Sequence, residues 1–229
     1  DPSLLRVAQV DYVKPEQMQS QEFGYRGKLS RTFTVDAAVY RNDFQDFINT
    51  QVVLSPLYGE VGDGGLSVLA MANGDFETWS SYTNSPAEIS SWGVSIGAQT
   101  KIFGNFDLSA NYTKSKLEFE QSLYPDFRTN WNTPEHKIKA QFGNTQLFEN
   151  FGFNVAWRYW SEYLWQASFG DGMVPETHVI DAQFNLTVPK WKSVIKVGAT
   201  NLGGEEYFTA FGSGFIGTQY YISWTANNF

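Results

Sequence analysis

The chain has 229 residues, no cysteine and a formal net charge of −8. That length suits one large all-β domain. The lack of cysteine excludes a disulfide framework and thiolate metal sites, and the acidic balance argues against nucleic acid as a partner, since phosphate binding needs clustered Lys and Arg. Aromatic and charged residues each make up 17%, mean hydropathy is −0.34, and no apolar run approaches the roughly 18 residues of a membrane helix. Two architectures have this profile: a soluble all-β binding module, or a membrane β-barrel diluted in hydrophobicity because every second residue faces a polar lumen.

Asp1 to Lys14 has no clear period; Leu4, Leu5, Val7 and Val10 suit a short helix or a packed loop before Pro15. Asp1-Pro2-Ser3 does not begin a signal peptide, having neither a basic start nor an apolar stretch. From Gln19 to Gly27, Phe23 and Tyr25 alternate with Glu22, Gly24 and Arg26, predicting a strand. After a turn at Lys28–Arg31, a longer strand is predicted over Thr32–Thr50. The glycine-rich stretch Gln51–Gly74 reads as the longest loop.

Alternation resumes over Tyr82–Phe103, where Trp92, Val94, Ile96 and Ala98 share a face. Gly104-Asn105 turns the chain into a strand with Phe106, Leu108, Ala110 and Tyr112 on one side. A loop over Gln121–Thr133 follows, then Ile138, Ala140 and Phe142, a short link at Phe148–Asn150, and Phe151, Phe153, Val155, Trp157 and Tyr159. A loop over Ala167–Pro175 precedes Ile180, Ala182, Phe184, Leu186 and Val188; a short turn at Pro189–Lys192 precedes Ile195, Val197 and Ala199. A last loop, Gly203–Gly214, leads to the terminal strand, in which Ile216, Tyr220, Ile222 and Trp224 share one side and the aromatic Phe229 ends the chain.

This predicts nine strands whose connections alternate short and long. Outer-membrane barrels have short periplasmic turns and long extracellular loops; a Greek-key sandwich would not sort its loops this way. The best spans are about 9–11 residues, the length a tilted strand needs to cross a bilayer. Asp36, Lys101, Asp107, Lys139, Arg158, Asp181 and Lys196 all fall on the parity opposite the apolar residues; a charge on the lipid face would cost roughly 2–4 kcal/mol at the midplane. Trp92, Tyr112, Tyr159 and Trp224 sit near the band ends, where interfacial girdles lie. An additional strand within Leu66–Trp79 would break the up-and-down parity unless paired with another. Nine strands cannot close a bacterial barrel, whose strand number is even, and an open edge in hydrocarbon leaves backbone groups unpaired. The reading is therefore an antiparallel up-and-down transmembrane β-barrel segment, with missing strands expected before residue 1.

Several stretches carry a family resemblance. Lys14–Gly27 (KPEQMQSQEFGYRG) resembles the "L-K-P-E…E-x-G-Y-R-G" segment of TonB-dependent outer-membrane receptors. Asp43–Ile48 is similar to their "Y-x-D-F-I" strand end, and Tyr112-Thr113 followed by Thr133-Pro134-Glu135-His136-Lys137 to "N-Y-T…T-P-x-H-K". Val197–Leu202 with Tyr207-Phe208 resembles their "V-x-N-L-f…Y" strand, and Gly217-Thr218-Gln219-Tyr220-Tyr221 their terminal assembly strand, which Ile222 and Trp224 continue. The match runs over nearly the whole chain and is most similar to receptors of Bacteroidetes outside the sugar-transporter branch.

The resemblance implies a barrel of about 22 strands with an N-terminal plug. This chain would supply the C-terminal nine strands and no plug, residues 1–18 being extracellular loop and lead-in and 19–229 strands and loops. The implied activity is TonB-dependent active uptake of a scarce nutrient (siderophore, metal complex, vitamin, peptide or glycan) across the Gram-negative outer membrane. Implied partners are the remaining strands and plug, the TonB-type energy-coupling complex and outer-membrane lipid or lipopolysaccharide. The alternative is a non-transporting scaffold in a larger surface assembly, with a surface lipoprotein as one partner.

No catalytic constellation, cofactor site or metal site is expected. Val61–Gly65 lacks the Lys-Ser/Thr of a phosphate loop and is not expected to lead into a helix. His178, of apolar parity, reads as interfacial and His136 as structural, while Arg158, Lys139 and Lys196 are expected to pair with wall or plug carboxylates. Ligand-binding candidates are the aromatics and cation of the long loops: Tyr58, Tyr124, Phe127, Arg128, Trp131, Trp165 and Phe169.

Overall fold

The computed structural model describes residues 5–62, 64–125, 127–167 and 169–226. The expectations touching Asp1-Pro2-Ser3, Leu4, Asp63 of the glycine-rich stretch and the terminal Phe229 lie outside the described residues. The described chain is nearly all antiparallel strand. Nine strands form one sheet: β1 (Gln17–Lys28), β2 (Thr34–Gln45), β5 (Ile89–Ile102), β6 (Phe106–Glu118), β8 (His136–Phe148), β9 (Phe151–Trp160), β12 (Thr177–Val188), β13 (Ser193–Thr200) and β14 (Gln219–Ala226). They pair in chain order, β1-β2-β5-β6-β8-β9-β12-β13-β14, as an up-and-down meander.

Register fixes the two faces. Ile138 opposes Tyr159, Ala140 opposes Trp157 and Phe142 opposes Val155. The row continues through Trp157–Ile180, Phe153–Phe184 and Phe151–Leu186, then Leu186–Ile195 and Phe184–Val197, and Ile195–Trp224 and Val197–Ile222. The alternate row pairs Lys139 with Arg158, Gln141 with Ala156 and Asn185 with Lys196. Among the described residues no protein layer covers the apolar row: Phe184 is 54% exposed, Ile222 77% and Trp224 69%. A sandwich would bury those side chains as its core; a membrane barrel offers them to lipid.

At the short-turn end the apolar face is phenyl-rich. Phe106 stacks on Phe142 at 5.5 Å, and Phe153 meets both edge-on. At the other end it carries polar aromatics. Tyr112 Oη lies 2.8 Å from His136 Nδ1, and His178 packs against Tyr159 at 4.8 Å and parallel to Trp157 at 5.9 Å. Tyr, Trp and His suit a boundary where the ring is in hydrocarbon and its polar atom in water.

The short connections fall where expected, with one shift: the turn expected at Gly104-Asn105 takes in Phe103, and Phe103 and Gly104 both have positive φ (47° and 90°), as tight hairpin turns require. The long connections are corrected. The predicted strand over Thr32–Thr50 is two strands, because Asp46 takes a left-handed φ of 53° and ends β2 before β3 (Ile48–Pro56) begins. Gln51–Gly74 is not a loop: it contains most of β3 and helix α1 (Leu66–Asn73). Contrary to expectation, the glycine-rich segment does lead into a helix, whose C-terminus Gly74 closes in the left-handed conformation with its N–H on Met71 O.

The span over Tyr82–Phe103 likewise divides into β4 (Phe76–Asn84) and β5. The Gln121–Thr133 loop contains a 3-10 turn and β7 (Phe127–Arg128), and the Ala167–Pro175 loop belongs to a hairpin of β10 (Tyr163–Ala167) and β11 (Gly170–Val174). β4, β3 and β7 make a separate three-stranded sheet. β4 is thus an additional strand that pairs with another, and the nine-strand parity survives. Alternation alone cannot tell one bent strand from two, which is why these breaks were invisible in the sequence. Residues 5–16 have no regular structure, and β1 begins at Gln17, two positions before the predicted start.

The chain forms two compact units. One holds residues up to Gln19, Asn42–Ser90 and Leu117–Trp131; the other holds Ser20–Arg41, Ser91–Lys116 and Asn132 onward. Most of the nine-stranded sheet lies in the second.

Gly152 marks a tight place. The β8–β9 register shifts between Asn144 and Phe148, and a Cβ on Gly152 would stand 2.5 Å from Thr145 O and 2.6 Å from Asn144 O, both backbone atoms. Gly152→Val is expected to cost about 3 kcal/mol through overpacking, read as loss of the compact, heat-modifiable form on electrophoresis. Unchanged migration would contradict this role for the bulge.

Candidate functional site

In the first unit the three-stranded sheet positions five of the seven predicted binding residues. Thr50 pairs with Arg128 and Gln51 with Phe127 across β3–β7. Phe127 is 3% exposed and packs on Phe119 at 5.6 Å, and Tyr124 stacks on the same Phe119 at 5.7 Å. Gln121 Nε2 donates to Tyr124 O and Phe127 O at 2.9 and 2.7 Å, fixing the 3-10 turn against β7. Phe127 is thereby an anchor, while Tyr124 lines a cleft of about 380 Å³ with Arg6, Gln51, Thr83 and Leu123.

Tyr58 is committed elsewhere: its hydroxyl donates to Asp75 Oδ2 at 2.9 Å and accepts from Asn73 Nδ2 at 3.1 Å, tying the strand end to the helix end. Arg128 and Trp131 are half-buried. Asn49 joins the two connections within this unit, its Nδ2 donating to Thr129 O at 2.7 Å and its Oδ1 accepting from Asn130 Nδ2 at 2.6 Å.

The irregular segment ahead of β1 is held by side chains. Asn84 accepts from Lys14 N–H at 2.7 Å and donates to Lys14 O at 2.9 Å, and the Ile48 N–H donates to Glu16 Oε2 at 2.9 Å. This segment runs past Val52–Leu54, forming an apolar cleft of about 610 Å³ with Val7, Val10, Met71 and Pro125. Sequence reading missed Arg6, Gln51 and Thr83 because they come from stretches assigned to a connection, a loop and a strand.

In the second unit the β10–β11 hairpin carries Trp165 and Phe169. Asn132, at φ 45°, clamps the hairpin: Nδ2 donates to Gln166 O at 2.9 Å and Oδ1 accepts from Gln166 N–H at 2.7 Å. Tyr163 Oη donates to Thr209 O at 2.6 Å, tying the hairpin to the last long connection. Trp165 is half-buried beside Tyr163, and Phe169 at the hairpin tip is 70% exposed.

Polar-face charges pair along the wall. Arg26 bonds Asp36, Lys101 lies 3.0 Å from Asp107, and Arg158 lies 2.8 Å from Asp181. His136 and His178 stand among aromatic side chains, with no group of three or more His, Cys, Asp or Glu able to hold a metal among the described residues. Lys114 bonds Glu135 at 3.1 Å and lies 5.3 Å from the Trp92 ring centroid. That hydrogen bond lowers the Glu135 pKa, against the opposing effect of partial desolvation. The pair therefore contributes fully above the ordinary carboxylate range, and its contribution is lost as pH falls through the lowered value.

On the terminal strand, Tyr220, Ile222 and Trp224 lie on the apolar face and are well exposed. Tyr221 departs from them: it crosses Gly198 on the polar face and donates to Gln183 Oε1 at 3.0 Å. Gly217 lies just ahead of β14, beside Glu206.

Burial raises the Tyr163 pKa, so the hydroxyl donor is fully present below the ordinary tyrosine range and lost as pH rises through the raised value. Tyr163→Phe should abolish that alkaline step in hydrogen exchange of the hairpin amides. Asn132→Ala removes two hydrogen bonds and places Ala at positive φ, at a local cost of about 2–3 kcal/mol. It should speed exchange over Tyr163–Val174; unchanged protection would contradict the clamp.

Comparison with known proteins bears on the whole chain. No curated protein matches it in sequence. Solved structures do match in fold. The copper transporter OprC is similar with a TM-score of 0.62 at 16% identity, over 86% of this chain and 27% of that one. The siderophore receptor PirA from Acinetobacter baumannii gives 0.60 at 15% identity, over 93% and 32%. The FrpB iron transporter from Neisseria meningitidis gives 0.64 at 13%, over 94% and 31%. The chain thus spans less than a third of the length of these structures. The family model described as TonB dependent receptor-like, beta-barrel matches residues 5–202. With that match and a nine-stranded meander of the same fold, the chain belongs to the TonB-dependent receptor β-barrel family.

Proposed function

We propose that this chain is the C-terminal part of the barrel wall, with its extracellular loops, of an outer-membrane receptor for TonB-dependent uptake of a scarce nutrient. The observation that carries this reading is the family match over residues 5–202 on a sheet whose apolar face is left uncovered. The plug and remaining strands of the same receptor are its first partners, and the energy-coupling complex acts through the plug. Two similar structures are named as iron or copper transporters and one as a siderophore receptor, which favours a metal complex as cargo. Aromatic loop residues suit such a ligand, because a chelator presents flat, partly apolar surface around its charged centre.

Trp165 and Phe169 are the favoured ligand contacts, because they sit on a braced hairpin; in the first unit Tyr124, Arg128 and Trp131 form a separate candidate set. Tyr58 and Phe127 shape the loops that hold them. The test is uptake of metal-siderophore complexes by metal-starved cells with and without the full receptor. Uptake that needs the receptor and stops when the proton gradient is collapsed supports the proposal; a receptor deletion without effect on any complex tried contradicts it. Trp165→Ala should weaken binding of the transported complex by about tenfold or more, the order seen for aromatic anchors. Phe127→Ala should instead loosen the loops, at about 3 kcal/mol for the lost core ring.

A further inference from the structure

The three-stranded sheet of the first unit has one short edge and one long one. On one side of β3 stands β7, two residues long with Phe127 buried. On the other side β4 is the last strand of the sheet. Its nine residues pair with β3 from Ile48–Asn84 to Pro56–Phe76 without a register shift. They include no Pro, Lys or Arg, the residues with which proteins ordinarily blunt an exposed edge, and no bulge twists the strand away.

The register shows which backbone groups are left over. The Leu57 N–H donates to Asp75 O at 3.0 Å and the Ser85 N–H to Phe47 O at 2.7 Å, bracketing the β3–β4 ladder. In an antiparallel ladder alternate pairs carry the bonds. Ser55–Glu77, Val53–Trp79, Gln51–Ser81 and Asn49–Thr83 are therefore the bonded pairs. The N–H and C=O of Thr78, Ser80 and Tyr82 point away from β3, and all three residues are exposed. Trp79 and Tyr82 flank this edge on opposite faces, 56% and 68% exposed.

We propose that β4 is a docking strand, to which an extended, Lys- or Arg-bearing segment of another protein adds as a fourth strand. The ladder supplies affinity. The flanking rings supply selection, since both Trp79 and Tyr82 can take a cation on the ring face. Charge fixes the sign of the partner. Asn42–Ser90 contains seven acidic residues and no Lys or Arg, and the Glu77 carboxylate on β4 has no ion pair among the described residues. A second copy of β4 would bring more acid to that edge. The segment ahead of β1 is already placed: it is irregular and meets β4 at Asn84, the end of the strand. The proposal stands on the first unit alone and is independent of what the receptor transports.

The experiment is amide-resolved hydrogen exchange on the full receptor in detergent at low salt, with and without a capped nonapeptide of alternating Lys and Thr as probe. In the receptor alone, the amides of Thr78, Ser80 and Tyr82 should exchange fast and those of Trp79 and Ser81 slowly. The probe should slow the first set about tenfold or more. Replacing its Lys by Glu, or methylating its backbone nitrogens, should abolish that protection. Ser80→Pro removes an outward donor without touching the β3–β4 bonds, and Ser80→Lys keeps the backbone and adds repulsion. Each should weaken the probe about tenfold, with Trp79 and Ser81 still protected to show that the sheet persists; where Ser80→Pro loses that protection, Ser80→Lys decides. Uniform exchange along β4 in the receptor alone, fast or slow, overturns the proposal, because the edge is then absent or already covered. So does a probe that leaves the edge amides unchanged, or one whose effect survives methylation or Ser80→Lys. Receptor-dependent import of the probe into cells marks it as cargo and likewise overturns the docking role.

Discussion

A β-strand in hydrocarbon must have both edges of its backbone paired, because no water is present to satisfy an unpaired N–H or C=O. That constraint makes the meander the core of this molecule. Each inner strand of the nine has a neighbour on both sides, and period-2 alternation then assigns every side chain to lipid or lumen. Little is left for a conventional core: among the described residues the buried apolar side chains are Ala70, Phe127, Val174 and Tyr207 of the long connections, with Ile89, Val179 and Ala199 on the wall strands β5, β12 and β13. The sheet is held by its hydrogen-bond ladder and its solvent, the connections by packing.

The same division separates stiffness from variety. The four short connections are closed by local backbone geometry, as at Phe103-Gly104 and Lys192. The long ones are folded pieces in their own right, braced by amides such as Asn49, Asn84 and Asn132. Amides suit that work because they donate and accept at once, and Asn tolerates positive φ, which Asn130 and Asn132 adopt. A binding surface carried on such pieces can change without disturbing the ladder beneath it.

How much of this was legible in the sequence depended on the signal involved. The wall strands were readable because alternation at Phe151–Tyr159 or Ile180–Val188 is fixed by the two solvents on either side. The Arg158–Asp181 pair was partly foreseeable from shared parity, although its register was not. The loop elements were hidden for physical reasons. β3 and β4 continue the strand-like pattern of β2 and β5, and only the left-handed turn at Asp46 separates the first pair. Leu66–Asn73 is a helix of two turns, too short for an apolar period to stand out among flanking glycines. Aromatic side chains in those loops were read alike, yet Phe127 is an anchor, Tyr58 is tied to Asp75, and Phe169 is exposed; which fate each meets is set by tertiary packing.

The central claim is that the two faces of this sheet meet lipid and water. Single cysteines placed along β12, in a full receptor freed of any other cysteine and reconstituted in bilayers, test it; this chain itself has none to remove. Labelled at Ile180→Cys, Phe184→Cys and Leu186→Cys, the probe should be quenched by a lipid-soluble agent and shielded from an aqueous one. At Asp181→Cys, Gln183→Cys and Asn185→Cys the preference should reverse. Loss of that alternation, with all six sites meeting the same solvent, would contradict the barrel wall.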